Sequence, residues 1–437
     1  MSGIVGAIGV CAYESVSKMC KTLAHRGSVH QSICGELAEG PEYAVSALGL
    51  ATLQEVSDQH GSVLSASDSY YASYARARII NSLVLKLDRD VIGPRPLFYG
   101  VNDASSLCAF ASERKALWSV GIKHPRRVNP RTVVTISGLQ DIDVKIKKTP
   151  ELLHKKLTFD DESDLVSDLR NVLECVLHDL AQERMSVAFS GGVDSALLCK
   201  LMSNSANKHC YAVGFSESHD LNNAQHAARL LKVDLQTLEL NEYDLEAFIP
   251  VVIEAIESYS PLDVAIALPF YILAEQAEAA GFSSVLTGQG ADELFAGYSK
   301  YASLHSAPNA TLNNVLEMDV LNIARDNLER DNLATAAHSL DVVLPYLDPR
   351  VVAFGLALDA SWKLHNGVNK YVLRKVAEQV MPRELAYRQK KAIQYGTGVS
   401  SVLQKLARKK MRSVNSRGVL TLYLRSIAEK KGIMVAE

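Results

Sequence analysis

The sequence predicts an α/β protein, with a β-rich N-terminal part followed by a doubly wound parallel sheet. Three observations point there. Residues 186–198 read SVAFSGGVDSALL, a buried strand, a tight glycine loop and the opening of a helix. Further strand-like runs at 210–215, 238–240 and 283–286 alternate with helical periodicities, which implies right-handed crossovers between parallel strands. The first 150 residues instead carry short alternating apolar runs split by turns, with 83–87 the clearest strand.

A chain of 437 residues has room for two or three domains, and 48% hydrophobic content supports packed cores. A net charge of -3 gives no global pull towards nucleic acid or membrane. The seven cysteines are scattered without a CxxC pair, so neither a disulfide frame nor a zinc site is favoured. His25 and His30 read as structural. No apolar run reaches bilayer length and no basic-then-apolar signal segment opens the chain, so a reducing, cytoplasmic setting is expected.

In chain order, Ser2–Gly9 has glycines spaced as in a dinucleotide loop, but no strand precedes them. Then come Leu23-Ala24-His25-Arg26-Gly27, the segment Asp88–Tyr99 (DRDVIGPRPLFY) and Phe110–Leu117 (FASERKAL). Together these resemble the N-terminal glutaminase domain of the asparagine synthetase family, a class II glutamine amidotransferase. Such domains use their first residue as nucleophile and its α-amine as base. Ser2 stands in place of the family's cysteine, and HRGPD becomes His25-Arg26-Gly27-Ser28-Val29. The Asn-Gly-Glu segment and the arginine that grip glutamine have no counterpart, Ala51-Thr52-Leu53 lying nearest the arginine. Residues 50–70 read as a place where the strands carrying that segment are skipped. Residues 1–150 are therefore expected to be a degenerate, shortened four-layer glutaminase-like domain without activity.

A polar stretch, 145–164, links the halves, and Asp160 and Asp161 are placed to cap a helix that continues through Leu180. In Phe189-Ser190-Gly191-Gly192-Val193-Asp194-Ser195 the two glycines allow positive φ and leave no Cβ in the way of a ligand. Amide donors and the positive helix end favour an anion there. The loop differs from a Walker A loop and resembles the pyrophosphatase (PP) loop of enzymes that split ATP into AMP and pyrophosphate. Asp220 is expected to cap a helix through Leu231, with further helices over 243–258 and 269–280. A second glycine loop follows at 287–298, TGQGADELFAGY, where Asp292 could join Asp194 in holding magnesium.

That second loop resembles the family's SGEGADELFGGY, Leu344–Asp348 its VPFLD, Lys370–Arg374 its EKxxLR, and Arg388-Gln389-Lys390 its late RxK. Order and spacing agree over 160–400, so the chain is identified as a diverged member of the asparagine synthetase family, with an ATP pyrophosphatase domain over 160–437. The resemblance implies ATP held by Phe189–Ser195, Thr287 and Gly288, adenine at the main chain of Val213, and Lys390 reaching the phosphates. Catalytic roles fall on Lys390, Asp292 and Gln289, the last in place of the family's glutamate. The expected reaction is acyl-adenylate formation followed by amide formation, with ATP and magnesium as cofactors and ammonia favoured over glutamine. Aspartate is the acceptor by resemblance only. Leu262–Ala267 and Asp341-Val342-Val343 replace family segments that each carry an arginine, and arginine is the natural partner of a substrate's α-carboxylate. Two alternatives stand: an adenylating ligase on another carboxylate or a tRNA base, and a non-catalytic nucleotide-binding regulator. The basic run from Lys405 to Lys431 is read as a solvated helix face, with nucleic acid disfavoured, no membrane partner and a homodimer left open.

Overall fold

The structure is a computed structural model that describes residues 1–35, 42–58, 61–70, 73–80, 84–102, 104, 106–137, 143–148, 157–159, 161–180, 184–202, 208–304, 309–388, 393–411 and 418–433. The N-terminal half runs β1 (Ser2–Gly9), α1 (Ala12–Thr22), β2 (Val29–Gly35), β3 (Tyr43–Gly49), β4 (Thr52–Asp58), β5 (Gly61–Tyr70), β6 (Ser73–Ile80) and β7 (Val84–Arg89). It continues with β8 (Phe98–Asn102), β9 (Leu107–Ala111), α2 (Arg114–Ser119), β10 (Arg126–Arg127), β11 (Thr132–Ser137) and β12 (Asp143–Lys148). These strands form two antiparallel six-stranded sheets, ordered β10-β8-β9-β1-β3-β2 and β12-β11-β7-β6-β5-β4.

Strand β1 is buried on both faces, which its small residues permit. Ile4 and Ile8 enter the core between the sheets, where Leu64, Ala77, Leu87 and Val134 meet them, while Val5 and Ala7 face Val16 and Met19 of α1. A Cβ on Gly6 would lie 2.4 Å from the Phe110 ring, so the glycine spacing of this segment is a packing requirement and not a dinucleotide signature. The result is helix, sheet, sheet, with α1 and α2 both packed on the first sheet. Residues 50–70 hold a hairpin of their own, β4 and β5 pairing along their whole length. Lys145 to Lys148 likewise belong to β12 rather than to a linker.

The C-terminal half runs α3 (Glu162–Leu180), β13 (Met185–Ala188), α4 (Val193–Leu201), β14 (Lys208–Phe215), α5 (His219–Leu231), β15 (Leu235–Leu240), α6 (Glu242–Ile256), α7 (Pro261–Ala279) and β16 (Ser284–Leu286). Then follow α8 (Ala291–Leu294), α9 (Ser299–Ala302), α10 (Asn309–Ile323), α11 (Glu329–Ala336), β17 (Asp341–Val343), α12 (Pro349–Ala357) and a short hairpin, β18 (Leu364–His365) with β19 (Val368–Asn369). The last helices are α13 (Tyr371–Glu378), α14 (Arg383–Ala386), α15 (Ile393–Gly396), α16 (Val399–Lys410) and α17 (Val419–Lys430). The sheet order β15-β14-β13-β16-β17 is parallel throughout. One apolar core, with α3, α4, α5, α12 and α13, covers one face; another, with α6, α7, α16 and α17, covers the other. Strand order reverses between β13 and β16, the place where such sheets leave a crevice at their carboxyl ends.

Two helix starts differ from expectation. Ser218, not Asp220, caps α5, its hydroxyl accepting from the Leu221 amide. Helix α7 begins eight residues before Pro269, because Ser260 caps it and Pro261 occupies the tolerated first position. Pro269 sits inside the helix. The basic C-terminal run also meets more acid in space than in sequence. Lys405, Lys410 and Lys431 pair with Glu242, Glu246 and Glu254 of α6.

The halves meet along a seam in which the N-terminal half supplies arginines and the C-terminal half carboxylates. Arg89 and Arg127 pair with Glu329, Arg114 with Glu257, and Arg95 with Asp341. Arg26, fully buried, pairs with Glu113 and donates to Asn332 Oδ1 at 3.0 Å across the seam. Burial pushes the Glu113 carboxyl up, but Lys115, Arg26 and His25 more than reverse this and hold it well below its ordinary 4.5. The Glu113 contribution to stability should therefore be complete above about pH 4.5 and disappear as the pH falls through the lower folded-state value. Arg26→Ala leaves Lys115 and His25 on that carboxylate but removes its buried guanidinium partner, and should cost about 1.5–3 kcal/mol in urea unfolding at pH 7.

Candidate active site

A cavity of about 310 Å³ opens at the carboxyl ends of β13, β14 and β16. Phe189, Ser190, Asp194, Ser195, Val213, Thr287, Gly288, Gln289 and Asp292 all line it, so the two glycine loops face each other across one space. Gly191, Gly192 and Val193 shape the first loop from behind. Gly191 takes φ +70°, and a Cβ there would lie 2.5 Å from the Asn223 carbonyl oxygen, so this position requires glycine. Gly192 has φ -75° and precedes α4, and Val193 turns into the core. The loop is tied to itself by Ser195 Oγ, 3.2 Å from Ser190 Oγ and 3.3 Å from the Gly192 carbonyl oxygen. The loops are in near contact: a Cβ on Gly288 would be 3.0 Å from Asp194 Cβ.

Asp194 and Asp292 converge on one cation. Lys370 Nζ lies 2.8 Å from both Asp194 oxygens and 2.7 Å from Asp292 Oδ1, with the lysine 3% exposed. Lys370 appeared in the sequence only as part of a helix motif; its backbone, at φ 54° just before α13, aims the side chain back across the two loops. Lys390, expected to reach the phosphates, lies outside the described residues. Among the described residues no three His, Cys, Asp or Glu side chains gather as a metal centre. Two carboxylates on one point are hard oxygen donors that fit magnesium only when phosphate oxygens complete the shell.

The remaining wall was not foreseen. Arg330 of α11 lines the cavity and holds Asp331, its Nε and Nη2 lying 2.9 and 2.8 Å from Oδ1. Asp331 in turn accepts from Gln289 Nε2 at 2.6 Å. Leu262 and Ile266 of α7 give an apolar side where the resemblance placed an arginine segment. Asp341 does not face the cavity but meets Arg95 of the other half. No glycine, proline or spacing signal marks the Glu-Arg-Asp at 329–331, so only the fold could reveal it.

Behind Asp292, Glu293 accepts from Tyr298 Oη at 2.8 Å and from Asn327 Nδ2 at 3.0 Å. Burial, with the charge of Asp292 beside it, pushes its carboxyl up to about 7. The protonated form is thus favoured by folding, and its contribution fades as the pH rises from its ordinary 4.5 through 7. Glu293→Gln should flatten that decline, which thermal unfolding at pH 5.5, 7 and 8.5 would read against the wild type.

In the N-terminal half, Ser2 is 1% exposed and donates to the buried Asp68 at 2.5 Å.

The sequence profile of the asparagine synthase family matches residues 172–311 and 305–429, more than half of the chain. A Methanocaldococcus jannaschii protein named as a glutamine-hydrolysing asparagine synthetase is 31% identical over 387 residues, 75% of this chain and 69% of that protein. Glutamine-hydrolysing asparagine synthetase B of Escherichia coli is 27% identical over 72% of this chain, which spans 59% of that protein's length. An NH3-dependent NAD synthetase from Campylobacter jejuni aligns with 63% of this chain and 98% of its own, at 14% identity and a TM-score of 0.28, too slight a likeness to bear on function. The profile match and the M. jannaschii relative agree with the paired glycine loops on one conclusion: the chain is a diverged member of the asparagine synthase family.

Proposed function

We propose that the protein is an ATP-dependent carbon–nitrogen ligase that forms AMP and pyrophosphate. One observation carries this reading: two glycine loops after the adjacent parallel strands β13 and β16 line a single cavity, and the aspartate of each loop meets the buried Lys370 ammonium. In this reading a carboxylate oxygen of the acceptor attacks the α-phosphorus of ATP, giving an acyl-adenylate as pyrophosphate leaves. An amine then attacks the acyl carbon, and AMP leaves with formation of the amide and release of a proton.

Backbone amides of residues 190–195 bind the departing pyrophosphate at the start of α4. Lys370 meets the charge that develops as the α–β bond breaks, the kind of stabilisation that dominates such displacements. Asp194 and Asp292 would hold magnesium, which supplies further charge neutralisation at the phosphate oxygens. Val213 and Phe270 line the part of the cavity suited to the adenine ring. Lys390 is proposed as a second phosphate contact by resemblance.

The acceptor is a small carboxylate, with aspartate the default by family. The apolar Leu262 and Ile266 favour testing other carboxylates beside it. Free ammonia is the proposed nitrogen source, because Ser2 is buried with its hydroxyl committed to Asp68. The carboxylates of α6 that meet the basic C-terminal helices leave less charge for a polyanion, which disfavours a tRNA substrate. Pyrophosphate release from ATP should depend on a carboxylate and on ammonium, with glutamine a poor substitute. A screen over carboxylates reads this, and glutamine matching ammonium would overturn the donor assignment. Lys370→Ala should lower kcat by about 10²-fold or more. An unchanged rate in that variant would remove Lys370 from the mechanism.

A further inference from the structure

Gln289 stands at the cavity wall with Asp292 and Arg330. Its amide faces Asp331, a side chain 1% exposed on α11, at 2.6 Å. Burial pushes the Asp331 carboxyl up, and Arg330 opposes this with two contacts to Oδ1. With the Arg330 guanidinium on Oδ1 and the Gln289 amide on the other oxygen, Asp331 accepts at both of its oxygens. The amide atom turned to Asp331 must then be Nε2, whatever lies in the cavity. The carbonyl oxygen of Gln289 is left facing away from Asp331. A neutral amide cannot take a proton, but its Oε1 can orient an N–H group.

The charges around it select the group. Arg330 lies between Asp331 and Asp263, whose Oδ1 is 3.7 Å from Nη1 and whose other oxygen accepts from Ser258 Oγ at 3.0 Å. Arg330 lines the cavity, while Asp331 and Asp263 stand behind its guanidinium and more than offset its charge there. That draws in an ammonium ion rather than a second carboxylate.

We propose that Asp331 is a positioning residue for the nitrogen donor: it fixes the Gln289 amide so that Oε1 accepts from the incoming ammonia or ammonium, and it holds Arg330 back from that position. This rests on the ligase reading above.

Four full-length proteins test it: wild type, Gln289→Glu, Asp331→Asn and the double variant. Gln289→Glu sets two carboxylates at hydrogen-bond distance, so Tm should fall. Asp331→Asn lets amide meet amide in either orientation. The KM for ammonium chloride, measured with ATP and aspartate, should rise about tenfold while the KM for ATP holds within about twofold. In Q289E/D331N the hydrogen bond re-forms with donor and acceptor exchanged, so Tm and the ammonium KM should both return towards wild type. Losses in the double variant that equal the sum of the single losses would overturn the pairing. Equal changes in both KM values for Asp331→Asn would overturn the nitrogen-donor role. A wild type that releases no pyrophosphate with any carboxylate would overturn the ligase reading and that role with it, while the four Tm values would still decide the pairing.

Discussion

The Lys370 ammonium, shared between Asp194 and Asp292, is the contact on which the arrangement of the cavity depends. Each aspartate belongs to a different strand-loop, and the lysine comes from a third place, the start of α13. Brought together without it, two carboxylates at the ends of neighbouring strands would repel each other in a buried setting. With it, the cluster still carries one net negative charge, to which a nucleotide would add several more. A further cation arriving with the phosphates is the simplest way to balance that sum, which is the physical case for magnesium here.

Around this contact the backbone is constrained by close approach. Gly191 must take positive φ against the Asn223 carbonyl. Gly290, at φ +91°, leaves room for the Leu347 side chain, whose Cδ2 would sit 2.5 Å from any Cβ there. The two loops therefore tolerate few residue types, and that is why they were legible. A strand, a glycine turn and a helix start are all local, and each leaves its mark within a dozen residues. The parallel sheet followed from the same alternation.

What stayed hidden was placed by tertiary packing. Lys370 reaches the loops because α13 begins with a left-handed residue, a fact with no signature in Lys-Tyr-Val-Leu-Arg. Arg330 and Asp331 project from a helix whose sequence resembles any polar turn. The segment Asp341-Val342-Val343 reads in sequence only as lacking an arginine, yet its Asp341 serves the seam between halves. The start of α7 was misplaced because Pro269 drew attention that belonged to Ser260 and Pro261. The hairpin of β4 and β5 stayed hidden because its serines and short apolar runs give no clear alternation, and its register with β6 is set by pairing across the sheet.

The seam has an evolutionary consequence. Its charges are sorted by side, with Arg26, Arg89, Arg95, Arg114 and Arg127 on one face and Glu257, Glu329 and Asp341 on the other. Cut apart, the first half would expose a crowded cationic surface and the second an anionic one, each repelling itself. A module joined in this manner cannot be lost without uncovering its neighbour's carboxylates. It serves as the counter-charge its neighbour needs, and those arginines are the positions where that need fixes its sequence.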